Sequence, residues 1–291
     1  MIRLSPGASV ESAKEALTTA ARDAGNVIGA GGTGVDRFNG YLDWAVTQER
    51  RLANAYSGAA IDDLLRTRRY WAIQTLSPAD YGSSLGRFIE LELTDRIREF
   101  EAEVTKLNEA AALWQEHPNG SLLNCVVLDT NMIMGHATGL ASLDWTRMID
   151  RRPHEPIGLA TLSVVIDELD SLKTASGNMT NVAGESYPRR SLAQRALNHL
   201  NKTFPDKHRR TQLEYTPADA GPIVPRLYQV LVLDDLDHTR LPTADAEILD
   251  RALTLEPFTQ SVTVVSYDTN LIFTARSLGL EAKLLNHDEA S

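Results

Sequence analysis

Two stretches of the chain close in the same way: VVLDTN on Asp129–Thr130–Asn131, and VVSYDTN on Asp268–Thr269–Asn270. In each, an aliphatic, β-branched run predicts a strand buried on both faces, with an acid at its end. Two further acids sit early in helices. Glu168 lies in the first turns of SVVIDELDSLK, after the strand-like IGLATL, and Asp245 lies in the first turn of TADAEILDRALTL. Each acid alone has a plain structural explanation, because Asp caps helices well and carboxylates suit the positive end of a helix dipole. Four gathered without counter-charge would repel, and some would stay protonated. Hard oxygen donors, few in number and completed by water, suit Mg2+ or Mn2+. A cation so held activates a water and offsets charge on the departing oxygen of a phosphodiester.

Only a particular order of elements brings the four to one place. CVVLD, IGLATL from Ile157, LEYTP, YQVLVLDD, SVTVVSYD and AKLL read as strands. SVVIDELDSLK, capped by Ser163, RRSLAQRALNHL from Arg189, TADAEILDRALTL from Thr243 and TNLIFTARSLGL read as helices. Strands separated by crossover helices imply a parallel sheet with helices on both faces. In such a sheet helix starts follow strand ends, so all four carboxylates face one rim. That carboxyl edge is where open α/β sheets carry their ligand chemistry. The stretch Thr174–Tyr187 has loop composition and is expected as a flap over the rim.

The preceding residues look all-helical, with segments at Val10–Ala24, Val35–Ser57, Ala59–Leu76 and Leu85–His117. GAGGTG at Gly29–Gly34 follows no strand and lacks the Lys-Ser/Thr of a phosphate loop, so it reads as a linker. Ile97, Phe100, Val104, Leu107, Ala111 and Trp114, led by Ile89 and Leu93, make a heptad seam. That seam serves a bundle or helical hairpin core, or pairs two protomers or a protein partner. HPNG at His117–Gly120 breaks the helix. The expected organisation is a helical domain over 1–117 and an α/β parallel-sheet domain over 122–291.

Composition narrows the class. Hydrophobic residues at 43% and charged residues at 23% describe a soluble globular chain, and its net charge of −10 opposes broad nucleic-acid binding through net charge. No run is long enough to cross a membrane. The N-terminal segment has no apolar core and Cys125 is the only cysteine, so a cytoplasmic protein is expected.

VVLDTNMIM, SVVIDELDSLK, ADAEILDRAL and VVSYDTNLIFTARSLGL, in that order, resemble the PIN-domain nucleases over roughly Leu122–Leu285. The second block, with the Arg-rich helix after it, is similar to the subgroup found beside PhoH-type ATPases, and the compact VapC-like toxins share the pattern. The resemblance implies a three-layer PIN-like fold. It implies that Asp129, Glu168, Asp245 and Asp268 bind Mg2+ or Mn2+ and support cleavage of single-stranded RNA, leaving a 5′-phosphate and a 3′-hydroxyl. No Walker-type sequence occurs, so the ATPase partner domain is absent from this chain, and the helical half lies outside the family pattern.

In this reading Asp129 and Asp268, with Asp245, hold the principal metal, and Glu168 holds it or a second one. Thr130 and Asn131 orient Asp129, contact phosphate or cap a helix; Asn270 is a weaker supporting candidate. Lys173, Arg189, Arg190 and Arg195, with KHRR at Lys207–Arg210, are candidates for salt-sensitive backbone contacts to RNA. Asp167 and Asp170 are expected to face solvent. A haloacid-dehalogenase-type phosphatase would need an acid where Asn131 stands. A catalytically silent RNA-binding or assembly module, and a DNA-directed flap-type nuclease, remain as alternatives.

Overall fold

The computed structural model describes residues 3–76, 78–117, 120–136, 139–180, 185–217, 223–236 and 238–285. They form two compact units, Met1–Ala111 and Ala112–Ser291. The first holds α1 (Val10–Gly29), α2 (Gly34–Leu52), α3 (Gly58–Leu64), α4 (Arg68–Gln74) and most of α5 (Pro78–Trp114). Helix α1 runs on to Gly29, past its expected end at Ala24. Thr33 and Asp36 form a reciprocal capping box that starts α2. The glycine-rich linker thereby shrinks to a tight turn in which Gly31 and Gly32 hold positive φ.

The helix expected over Ala59–Leu76 is two helices. Thr67 accepts the Tyr70 N–H at 3.2 Å and so opens α4 afresh. On α5, Ile89, Leu93, Phe100 and Leu107 are buried, but Ile97, Val104 and Ala111 of the expected seam are only half-buried. Glu92, Arg96 and Glu103 are buried in the neighbouring row. Arg96 lies 3.2 Å from Glu92 and 2.7 Å from Glu99, and donates to the Leu64 carbonyl at 2.8 Å. A partnered ion network therefore replaces part of a purely apolar stripe, as buried charge requires.

The second unit contains β1 (Asn124–Leu128), α6 (Thr130–His136), α7 (Trp145–Met148), β2 (Ile157–Leu162), α8 (Ser163–Leu172), β3 (Asn178–Thr180), β4 (Ser186–Pro188), α9 (Arg189–Thr203), β5 (Arg210–Leu213), β6 (Leu227–Val232), α10 (Ala244–Leu255), β7 (Ser261–Ser266), α11 (Thr269–Ser277) and β8 (Glu281–Leu284). Strands run β5-β6-β2-β1-β7-β8 in one sheet, and the flanking helices make a three-layer α/β domain. Every residue of β1 and β2 is buried, as their aliphatic runs predict. Leu128 pairs with Val265 and Leu162 with Val232, so the parallel strands end at one level. The chain leaves β1 for β2 on one side, and β7 returns on the other. A topological switch, the usual ligand crevice of such sheets, therefore falls beside β1.

Three expectations need correction. The strand read in LEYTP is instead β5 at Arg210–Leu213, antiparallel to β6, so one edge of the sheet is not parallel. Its sequence, RTQL, shows no apolar alternation because an edge strand need not bury a face. Ser163 does not cap α8; its hydroxyl accepts the Asp234 N–H at 2.9 Å and faces the Val232 carbonyl at 3.4 Å. Within the expected loop Thr174–Tyr187, β3 and β4 pair as a short antiparallel hairpin, while 181–184 lie outside the described residues.

The last turn of α5 belongs to this unit. Arg210 donates to the Ala112 and Leu113 carbonyls at 3.2 and 3.1 Å, satisfying groups that a helix end leaves open. Trp114 is buried against β2 at Gly158, where an added Cβ would stand 3.0 Å from its ring and 3.1 Å from Leu123. Gly158→Ala is expected to destabilise the protein by about 1–3 kcal/mol through overpacking, read as a lower urea midpoint at unchanged slope.

Candidate metal centre

Asp129 follows the last residue of β1 and is 4% exposed. One carboxylate oxygen accepts the Met132 N–H at 2.7 Å, and the other accepts the Ser266 hydroxyl. The helix-cap explanation is therefore true of it, yet it is not sufficient. Burial raises its pKa to about 6 against the pull of those two donors, and the negative charges of Asp268 and Asp245 push the same way. A cap needs no such neighbours.

Asp268 follows β7 by two residues and caps α11, accepting the N–H groups of Asn270 at 2.7 Å and Leu271 at 3.2 Å. Its own N–H donates to Ser266 Oγ at 2.8 Å. Ser266 thus bridges Asp129 and Asp268, a role its ordinary place at a strand end does not announce. Asp245 lies in the first turn of α10, exposed on the rim; partial burial, then the charge of Asp268, raise its pKa. Glu168 is half-buried on α8 and accepts the Thr130 hydroxyl, so Thr130 serves Glu168 rather than Asp129.

The structure thus joins three acids by their mutual repulsion and ties the fourth to the residue next to Asp129. Among the described residues no Lys, Arg or His pairs with any of the four within ion-pair distance. The four are not drawn into a tight cage: among the described residues, the group whose ligand atoms all lie within 4.8 Å of one another is Asp234, His238 and Glu247 instead. Like charges spread, and Asp129, Asp268 and Glu168 each turn to a nearby N–H or O–H donor. Hard oxygen donors, a carboxyl that burial keeps from ionising freely and the lack of a competing cation suit a divalent ion.

The remaining candidates separate. Asn270 contributes its N–H to Asp268, while neither its side chain nor that of half-buried Asn131 hydrogen-bonds the four acids among the described residues. Asp167 and Asp170 face solvent as expected, and each also carries a surface ion pair, Asp170 with Lys173 and Asp167 with Arg240. Arg189 and Arg190 open α9, exposed and outside any ion pair among the described residues. Two neighbours of the site were not legible beforehand. His136 Nε2 and the Tyr267 hydroxyl are 2.7 Å apart with their rings stacked, and Tyr267 has its pKa raised to about 12 by burial and by Asp129.

A three-layer α/β domain with acids collected beside the switch of a mostly parallel sheet is an architecture that can hold a divalent cation at that edge. Residues 126–286, more than half of the chain, match the model of the PIN domain, and the chain belongs to the PIN-domain family, whose members are typically metal-dependent nucleases. No curated protein matches the chain.

Proposed function

We propose that this protein is an endoribonuclease that hydrolyses single-stranded RNA, with Mg2+ or Mn2+ held by Asp129, Glu168, Asp245 and Asp268. The observation that carries the reading is the buried Asp129 carboxyl at the end of β1, close enough to Asp268 and Asp245 to be repelled by both, with no basic side chain paired to it among the described residues. A divalent cation supplies Lewis acidity, lowering the pKa of a water and offsetting charge on the leaving oxygen. The chain's own part is placement. Ser266 and the Met132 N–H fix both oxygens of Asp129, the α11 N-terminus fixes Asp268, and Thr130 fixes Glu168. Arg189 and Arg190 offer sequence-blind contacts to the RNA backbone, and Lys173 adds a third once released from Asp170.

Cleavage of a panel of single- and double-stranded RNA and DNA, with Mn2+ and with EDTA, tests this. Single-stranded RNA is expected to be cut only with the metal; preferential cutting of DNA would overturn the substrate, and equal cutting in EDTA would overturn the mechanism. Mn2+ at about 100 times its Kd is expected to stabilise the native state by roughly 2.7 kcal/mol, seen as a raised melting temperature. An unchanged melting temperature would favour a catalytically silent module.

A further inference from the structure

The cluster of Asp234, His238 and Glu247 has the ligand atoms of a metal site, but it already has its cations. Arg251 Nε stands 2.9 Å from Glu247 and 3.4 Å from Asp234, and Arg240 Nε stands 2.8 Å from Asp234. Glu247 is 1% exposed and also takes the Leu241 N–H at 2.9 Å and His238 Nε2 at 2.7 Å. Burial pushes its pKa up, but these donors outweigh that and hold it below the usual range. What the network does follows from where its members sit.

Glu247 is two residues after Asp245 on α10, and Asp167 is the residue before Glu168 on α8. Arg240 reaches from the segment before α10 to Asp167 with one arm and to Asp234 with the other. Ser163, at the start of α8, receives the Asp234 N–H. Ser163, Asp234, Arg240 and Asp167 thus close a ring between α8 and the β6–α10 connection, and Glu247 locks that connection onto α10. We propose that Arg240 is a positioning residue: through Asp167 and Asp234 it sets α8 against α10, and so Glu168 against Asp245. Its guanidinium fork suits two carboxylates at once, which a lysine cannot match. The inference rests on the metal reading above.

Mn2+ titration of the full chain by calorimetry tests it, using the wild type, Arg240→Ala, Asp167→Asn, the double variant and Arg240→Lys. Arg240→Ala is expected to weaken Mn2+ binding roughly 10-fold, the lower end for residues that orient metal ligands. The melting temperature of its metal-free form should fall only slightly, because the Arg240–Asp167 pair is exposed and Asp234 keeps Arg251 at 3.4 Å. The double variant should lose no more affinity than either single one, and Arg240→Lys should recover only part. An affinity within twofold of wild type, or losses that multiply in the double variant, would overturn the role of Arg240. Loss of one Mn2+ equivalent in His238→Ala, with the quartet's binding kept, would overturn it in favour of a second metal site. Absence of Mn2+ binding in the wild type would instead remove the metal reading itself.

Discussion

Asp129→Asn abolishes metal-dependent cleavage while making the metal-free protein more stable. The loss should be on the order of 10³-fold or more, because removing a buried anionic donor forfeits several kcal/mol of charge stabilisation in the transition state. The gain follows from linkage. The folded-state pKa of Asp129 is about 6, above the ordinary 3.8. Such a carboxyl stabilises the fold while protonated; that contribution is full below pH ~4 and is lost as pH rises through ~6. At one pKa unit per 1.36 kcal/mol, the metal-free wild type gives up about 3 kcal/mol across that window. Asparagine carries no charge and escapes this loss. Its melting temperature at neutral pH should stand ~5 °C above that of the wild type, with a flatter profile between pH 4 and 6. Equal profiles for the two proteins would mean that Asp129 is not the strained group.

Arg251→Ala carries the largest expected cost to stability. The Arg251 side chain is 9% exposed and pairs with Glu247, whose side chain is 1% exposed, and with Asp234 at 15%. Deleting it leaves two largely buried carboxylates with His238 and Arg240 as their nearest positive partners. Breaking a buried pair from one side costs about 3–5 kcal/mol, since a charge is left without compensation. Joint replacement by Glu247→Leu and Arg251→Met should cost much less, because no charge is then stranded. Chemical denaturation of the three proteins decides the matter; a single variant no less stable than the double would show that the network contributes little.

How much of this was readable in the sequence differs from residue to residue. Asp129 and Asp268 are legible because a buried parallel strand leaves a continuous aliphatic run, and the residue at its end must emerge at a fixed edge. Asp245 and Glu168 follow from helices that begin where strands stop. The supporting contacts are not legible, because they join side chains far apart in the chain: Ser266 to Asp129 across 137 positions, and His136 to Tyr267 across 131. Nothing local marks Arg240 as the partner of Asp167, and solvation was the natural expectation for that acid. Strand β5 is not legible, because Arg210–Leu213 alternates no apolar face. The α5 seam is only partly legible, because a heptad count cannot see Arg69 and Arg96 providing partners for buried Glu92.

The most direct test is Mn2+ binding to the wild type, Asp129→Asn and Asp268→Asn, followed by calorimetry at neutral pH. Saturable binding by the wild type that falls at least tenfold in both variants, with their folds unchanged, is the predicted result. Equal affinity in all three proteins would contradict the claim that acids from separate strand ends share a cation.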